Sequence, residues 1–306
     1  MIRVLLTGST GQLGKSIIKE APSLVNLYTP DRKELDLSSE SSCRQAISKY
    51  KPDWIINAGA YTSVDNAESN RHLAFQINEG APTIFAEELE KTGGKILQIS
   101  SDYVFNGKQN SPYTINNKTN PISVYGESKL AGENAALKLK DSKVIRTSWL
   151  YGPTGKNFCS TMLKLHEKNT GTQKSLKVVS DQIGCPTNTF DLAITCWRII
   201  EFSESNLKFE NKDLPKIFHW SDAGVASWYD FASAIGELGV LEGVIKESSK
   251  VIPIRTDEYN TAAKRPIYSI LDCSSTLKIL KLERSHWRDA LRKVLIQIKE
   301  GKRSLF

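Results

Sequence analysis

Thr7-Gly8-Ser9-Thr10-Gly11-Gln12-Leu13-Gly14 follows the apolar run Ile2-Arg3-Val4-Leu5-Leu6 and leads into a helix-like pattern that begins near Gln12. Its glycines are spaced G-x-x-G-x-x-G. Gly8 permits a tight turn, Gly11 lets the backbone approach a pyrophosphate, and Gly14 lets helix and strand pack closely. The helix N-terminus then offers free N–H groups and the positive end of its dipole to phosphate. Glycines also make ordinary turns; the place of this triplet, between a first strand and a first helix, is what makes it a dinucleotide signal.

Outward from that turn, strands and helices alternate. Strand patterns at 24–28, 53–58, 95–100 and 142–146 are separated by helical patterns at 42–49, 74–91 and 125–139. Such alternation predicts βαβ units and a parallel sheet buried on both faces, that is, a Rossmann-type doubly wound α/β fold. The stretch 109–121 is polar, with asparagines and prolines, and reads as a loop. Beyond Tyr151-Gly152-Pro153 the pattern loosens. Helices are expected at 157–169, 190–202, 227–238 and 286–299, a returning strand at 177–179, and a charged surface stretch at 203–213. The expected division is a dinucleotide-binding domain over 1–152, with 177–202 returning to it. A smaller, discontinuous α/β substrate lobe would be formed mainly by 153–176 and 203–306.

The chain has 306 residues, 40% hydrophobic and 25% charged, a globular composition. No apolar run reaches the roughly 18 residues of a membrane span, and the N-terminal run is too short for a signal peptide. A cytoplasmic protein with no membrane association is expected. Cys43, Cys159, Cys185, Cys196 and Cys273 are scattered, odd in number and free of any C-x-x-C pair. That argues against a disulfide framework or a zinc cluster and for small buried apolar residues. The net charge of +7 is spread along the chain, without a nucleic-acid motif. It fits an anionic small substrate better than nucleic acid.

Tyr125 and Lys129 stand four apart in a helical pattern, hence on one face. A lysine ammonium near a phenol favours the phenolate, which would lower the tyrosine pKa from about 10. Such a tyrosine can protonate a developing alkoxide. Ser100-Ser101 ends the preceding strand, where an α/β sheet binds its ligands, and a hydroxyl there can hold a carbonyl oxygen. After the second strand comes Thr29-Pro30-Asp31-Arg32-Lys33. Asp31 suits the ribose 2′-hydroxyl of NADH, while Arg32 or Lys33 suits the 2′-phosphate of NADPH. Two cations beside one anion favour NADPH, with NADH the alternative.

Collinear segments extend these motifs: Asn57-Ala58-Gly59-Ala60-Tyr61-Thr62-Ser63-Val64-Asp65, Ser100-Ser101-Asp102-Tyr103-Val104-Phe105-Asn106-Gly107, Arg146-Thr147-Ser148-Trp149, Ser227-Trp228-Tyr229 and Lys264-Arg265-Pro266. With them the chain resembles the dTDP-4-dehydrorhamnose reductase family of the extended short-chain dehydrogenase/reductase superfamily. The resemblance implies hydride transfer from a nicotinamide to C4 of a 4-keto-6-deoxy sugar on dTDP. Ser101, Tyr125 and Lys129 would be catalytic. Gly8, Thr10, Gly11, Gln12, Leu13, Gly14, Asp31, Arg32, Asp36, Leu37, Ala58, Gly59 and Ala60 would join Tyr125 and Lys129 around the cofactor. Ser63, Val64, Asp65, Phe105 and Trp149 would shape the sugar site, with core packing the alternative for Phe105 and Trp149. His219, Trp220, Lys264 and Arg265 are candidates for the substrate diphosphate or, equally, for structural contacts.

The sequence departs from the family at two places. Ser101 stands where many members carry Thr, and either supplies the hydroxyl. Some members form dimers bridged by Mg²⁺ through acidic residues; the aligned positions here, Ser16, Phe190 and Arg288, hold no carboxylate. No metal site and no Mg²⁺-bridged dimer are therefore expected. A reductase or epimerase of another nucleotide sugar stays open, as does a non-catalytic NADP-binding subunit like the regulatory subunit of methionine adenosyltransferase. A dehydratase would add acidic residues for proton abstraction, and no Glu pair follows Ser101.

Overall fold

The computed structural model describes residues 1–205 and 214–303. The chain begins with β1 (Ile2–Thr7), α1 (Gln12–Lys19), β2 (Val25–Tyr28), α2 (Glu40–Tyr50) and β3 (Trp54–Asn57). Two short helices follow, α3 (Val64–Ser69) and α4 (Arg71–Phe75), then a π-helical turn Gln76–Gly80 and α5 (Ala81–Glu90). The single helix expected over 74–91 is thus interrupted. The wider turn frees Asn78, whose side chain accepts from Tyr61 N at 2.8 Å and donates to Ser128 Oγ at 2.9 Å. Next come β4 (Lys95–Ser101), α6 (Val124–Ala136) and β5 (Lys143–Thr147). A Cβ on Gly132 would lie 2.0 Å from Asn78 O, so the bare glycine lets α6 lie directly on the π turn. α6 carries Tyr125 and Lys129.

The second half comprises β6 (Leu150–Tyr151), α7 (Phe158–Lys168), β7 (Leu176–Val179), β8 (Ile183–Gly184), β9 (Thr187–Asn188) and α8 (Thr189–Glu204). It ends with β10 (Ile217–Trp220), β11 (Ala226–Ser227), α9 (Trp228–Leu241), β12 (Val251–Ile254), α10 (Ser274–Leu280) and α11 (Trp287–Arg303). Side-chain caps start several helices. Asn157 accepts from Ser160 N at 2.8 Å ahead of α7, and Ser227 accepts from Asp230 N at 3.1 Å ahead of α9.

The main sheet has six strands in the order β10-β5-β4-β3-β1-β2, all parallel, the doubly wound arrangement expected. Alternate residues of its strands feed two cores. Val4, Leu6, Trp54 and Ile56 pack with Leu13 and Ile17 of α1 and Leu192 and Cys196 of α8. Leu5, Ile55 and Ile96 pack with Cys43 and Ile47 of α2 and Phe85 of α5. A third core, with Tyr151, Leu163, Phe231, Trp287 and Leu291, is built from the second half of the chain.

Two expectations need correction. The return of 177–202 to the large domain is divided: α8 packs on it, but β7 pairs with β12 in a separate two-stranded sheet. The sixth strand of the main sheet is instead β10, beside β5, from within the stretch expected in the smaller lobe. A short apolar run does not encode its own pairing partner, which accounts for the exchange. The charged stretch expected at 203–213 lies largely outside the described residues. All five cysteines are free and buried.

Candidate active site

The glycine turn has the geometry its spacing implies. Gly8 adopts φ +66, and its carbonyl accepts from Gly11 N at 3.0 Å. A Cβ on Gly14 would lie 2.2 Å from that carbonyl oxygen, so only glycine lets the first turn of α1 pack there. Gly11 caps α1 without a side-chain hydrogen bond, leaving the helix N-terminus free to meet an anion. Two adjoining hollows open from this turn. One, about 510 Å³, is lined by Asp31, Arg32, Asp36 and Leu37. The other, about 800 Å³, is lined by Gln12, Ala58, Ser101, Tyr125, Lys129 and Trp149. They share Gly8, Thr10, Gly59 and Ala60, so one elongated ligand can lie across the turn with its phosphates at the glycines. The bare cradle of Gly11 and Gly14 fits a dinucleotide.

In the smaller hollow, Asp31 Oδ1 accepts from the N–H groups of Lys33 at 2.7 Å and Glu34 at 3.1 Å, which shapes its own turn. The Ser38 N–H and hydroxyl hold the Asp36 carboxyl below its ordinary range, and Arg32 adds to this. On the large-domain floor, Thr7 Oγ1 donates to Asn57 Oδ1 at 2.6 Å and accepts from Gly59 N at 2.9 Å, tying the ends of β1 and β3 together.

Ser101, Tyr125 and Lys129 meet on one wall of the larger hollow. Ser101 Oγ donates to Asp102 Oδ1 at 2.8 Å and accepts from Tyr103 N at 3.2 Å. Lys129 Nζ donates to the Ile99 carbonyl at 2.7 Å. Burial pushes the Tyr125 phenol up to about 12, Asp102 adds to the rise, and the Ser101 hydroxyl opposes it. Burial brings Lys129 down to about 8, against the pull of Glu133. This corrects the expected lowering of the Tyr125 pKa: Lys129 is turned to the strand end, and desolvation of the phenolate dominates. Behind the wall, the buried pair Glu133–Arg146 is forked, with Arg146 Nη2 2.7 Å and Nε 2.9 Å from the carboxylate, and Ser100 donates to the same carboxylate.

The expected sugar residues separate. Val64 and Trp149 line the larger hollow, whereas Ser63 lines the smaller. Asp65 grips Arg265, Nη2 to Oδ2 at 2.6 Å and Nη1 to Oδ1 at 3.1 Å, and Arg265 lines the larger hollow, as does Val64. Phe105 is a correction: it is wholly buried, stacked on Tyr113 with ring centroids 4.2 Å apart, and serves packing. His219 and Trp220 are likewise in the interior, with His219 Nδ1 3.0 Å from Tyr113 O. At the aligned metal positions, Ser16 Oγ bonds Thr189 Oγ1 at 2.8 Å, Lys19 lies over the Phe190 ring, and Arg288 pairs with Glu237 at 3.0 Å. Among the described residues no three His, Cys, Asp or Glu side chains are grouped to hold a metal ion.

Among the lining residues given no role from the sequence are Asp102, Tyr103 and Trp228. Asp102 is buried beside Ser101, and among the described residues its Oδ2 has no hydrogen-bond partner. Burial pushes its carboxyl up to about 6, against the hydroxyls of Ser269 and Ser101. Its place next to Ser101 was the available signal. Trp228 offered only an aromatic at a helix start.

The chain is similar to known proteins along nearly its whole length. The chain is 39% identical over 299 residues to the spore coat polysaccharide biosynthesis protein SpsK of Bacillus subtilis, covering 96% of this chain and 97% of that one. It is 37% identical to a dTDP-4-dehydrorhamnose reductase of Aggregatibacter actinomycetemcomitans, covering 96% and 98%. The crystal structure of dTDP-4-dehydrorhamnose reductase from Bacillus anthracis in complex with NADP superposes with a TM-score of 0.86 at 34% identity, covering 97% of this chain and 99% of that one. The family model described as RmlD substrate binding domain matches residues 2–300, and the chain belongs to that family.

Proposed function

We propose that this chain reduces the 4-keto group of dTDP-4-dehydro-6-deoxy-L-mannose to give dTDP-L-rhamnose, with NADPH as donor and NADH as the alternative. The carrying observation is the convergence of Ser101, Tyr125 and Lys129 on a hollow that the bare glycine turn also lines. The nicotinamide supplies the hydride when bound. Tyr125, protonated throughout the neutral range, gives its proton to the carbonyl oxygen as that oxygen becomes an alkoxide. Ser101 holds the same oxygen. Lys129, tethered to the Ile99 carbonyl, holds the nicotinamide ribose. Asp31, Arg32, Asp36 and Leu37 enclose the adenosine end, while Val64, Asp65 and Trp149 border the sugar.

In this reading the large domain holds the cofactor, the smaller lobe closes on the nucleotide sugar, and the reaction takes place in the cytoplasm without a Mg²⁺-bridged dimer. Among the described residues no helix is long and apolar enough to cross a membrane. The test is NADPH consumption by the purified chain with the keto sugar made in situ, with NADH in parallel. Turnover with formation of dTDP-L-rhamnose is expected. NADPH binding without turnover would favour a non-catalytic subunit or another nucleotide sugar.

A further inference from the structure

Trp149 sits where a bulky side chain is rarely tolerated. It joins β5 to β6 with φ +46, in the left-handed region that residues with a Cβ avoid. The backbone is pinned there: Ser148 Oγ donates to Cys185 O at 2.8 Å, and Thr187 N donates to Trp149 O at 3.2 Å. The indole is held as well. Trp228 stacks on it with ring centroids 3.5 Å apart and planes within 5°. A Cβ on Gly184 would lie 2.5 Å from Trp149 Cε2 and 2.7 Å from Nε1, so the glycine leaves room for the ring.

These two neighbours come from one device of the smaller lobe. Gly184 of β8 pairs with Ala226 of β11, and Trp228 follows β11 directly. The capping box of Ser227 and Asp230 fixes the start of α9, and Phe158 backs the Trp228 ring at 4.6 Å. Trp149 and Trp228 both line the larger hollow.

We propose that Trp228 and Gly184 form a slot that holds the Trp149 indole against the nucleotide sugar, which makes Trp228 a positioning residue for substrate binding. This rests on the reading of the hollow as a nucleotide-sugar site. Strain at Trp149 is maintained because the ring is locked in place, and the lock belongs to the smaller lobe. Substrate affinity then depends on the slot, while NADPH binding at the glycine turn does not.

The test measures sugar KM, kcat and NADPH Kd for Trp228→Ala, Trp228→Phe and Gly184→Ala, each alone and combined with Trp149→Ala. Trp228→Ala and Gly184→Ala are expected to raise the sugar KM about tenfold, a stacked-pair effect, with kcat and NADPH Kd affected far less. Trp228→Phe should restore most of the KM. With Trp149→Ala in place, neither substitution should raise KM further. An unchanged KM in Trp228→Ala, or a full effect that persists without Trp149, would overturn the proposal. Near-ultraviolet circular dichroism reads the slot without turnover. Gly184→Ala should change the aromatic band in the native chain and leave it unchanged when Trp149 is alanine; the reverse would overturn the slot. Failure of the native chain to turn over would sink the functional reading alone.

Discussion

Lys129 Nζ donates a 2.7 Å hydrogen bond to the carbonyl oxygen of Ile99, so the ammonium is tethered to the end of β4 inside the protein. Burial brings its pKa from 10.5 down to about 8. The folded chain therefore binds fewer protons than the unfolded chain between those values, and stability from this group rises with pH across that window. Below it the charged lysine is a full penalty of about 3 kcal/mol, at 1.36 kcal/mol per unit. Lys129→Met is expected to be at least as stable as the native chain at pH 7 while losing roughly a hundredfold or more in kcat/KM. Urea midpoints and initial rates check this. A large drop in stability would show that the hydrogen bond outweighs the burial cost.

Tyr125→Phe removes only the proton donor. NADPH affinity should be kept, and kcat should fall by about 10²–10⁴. With the phenol up at about 12 and Lys129 near 8, the fall of kcat/KM at high pH is expected to centre near 8 and to come from Lys129. Unchanged turnover in Tyr125→Phe would remove it from the mechanism.

Asp102 shows the opposite sign. Its carboxyl is raised from 3.8 to about 6, so the folded chain binds more protons than the unfolded chain in that window. Stability is lost as pH rises through it, by about 3 kcal/mol at most. Thermal melts from pH 4 to pH 7 should show the native chain weakening relative to Asp102→Asn. Parallel pH curves for the two would show that the Asp102 carboxyl is not raised by folding.

The glycines of the phosphate turn divide by geometry. A Cβ on Gly14 meets Gly8 O at 2.2 Å, whereas on Gly11 it would come no nearer than 3.2 Å to Gly8 O among the described residues. Gly14→Ala should lower the melting temperature and abolish NADPH binding. Gly11→Ala should melt near the native temperature and still bind NADPH more weakly, because its methyl fills the cradle. Full NADPH affinity in Gly11→Ala, by titration calorimetry, would place the pyrophosphate elsewhere.

The large domain was legible because its signals are local. Gly8 to Gly14, the strand at Trp54 and the Tyr125–Lys129 pair each declare their geometry within a few residues. What escaped depends on distant chain segments. β7 and β10 are both short apolar runs, and only tertiary packing puts β10 beside β5 and β7 beside β12. Phe105 and Trp149 are both aromatic residues in family segments, yet one stacks on Tyr113 in the core and the other lines the hollow. The grip of Asp65 on Arg265 joins residues 200 positions apart. The Tyr125 pKa escaped because proximity in sequence to Lys129 says nothing of desolvation.

The most direct measurement follows the hydride itself. The chain is supplied with NADPH carrying deuterium at the transferable C4 position and with dTDP-4-dehydro-6-deoxy-L-mannose, and the product is read by NMR. Deuterium at C4 of the sugar in dTDP-L-rhamnose is expected. Product without deuterium at C4, or deuterium on another carbon, would rule out reduction of the 4-keto group.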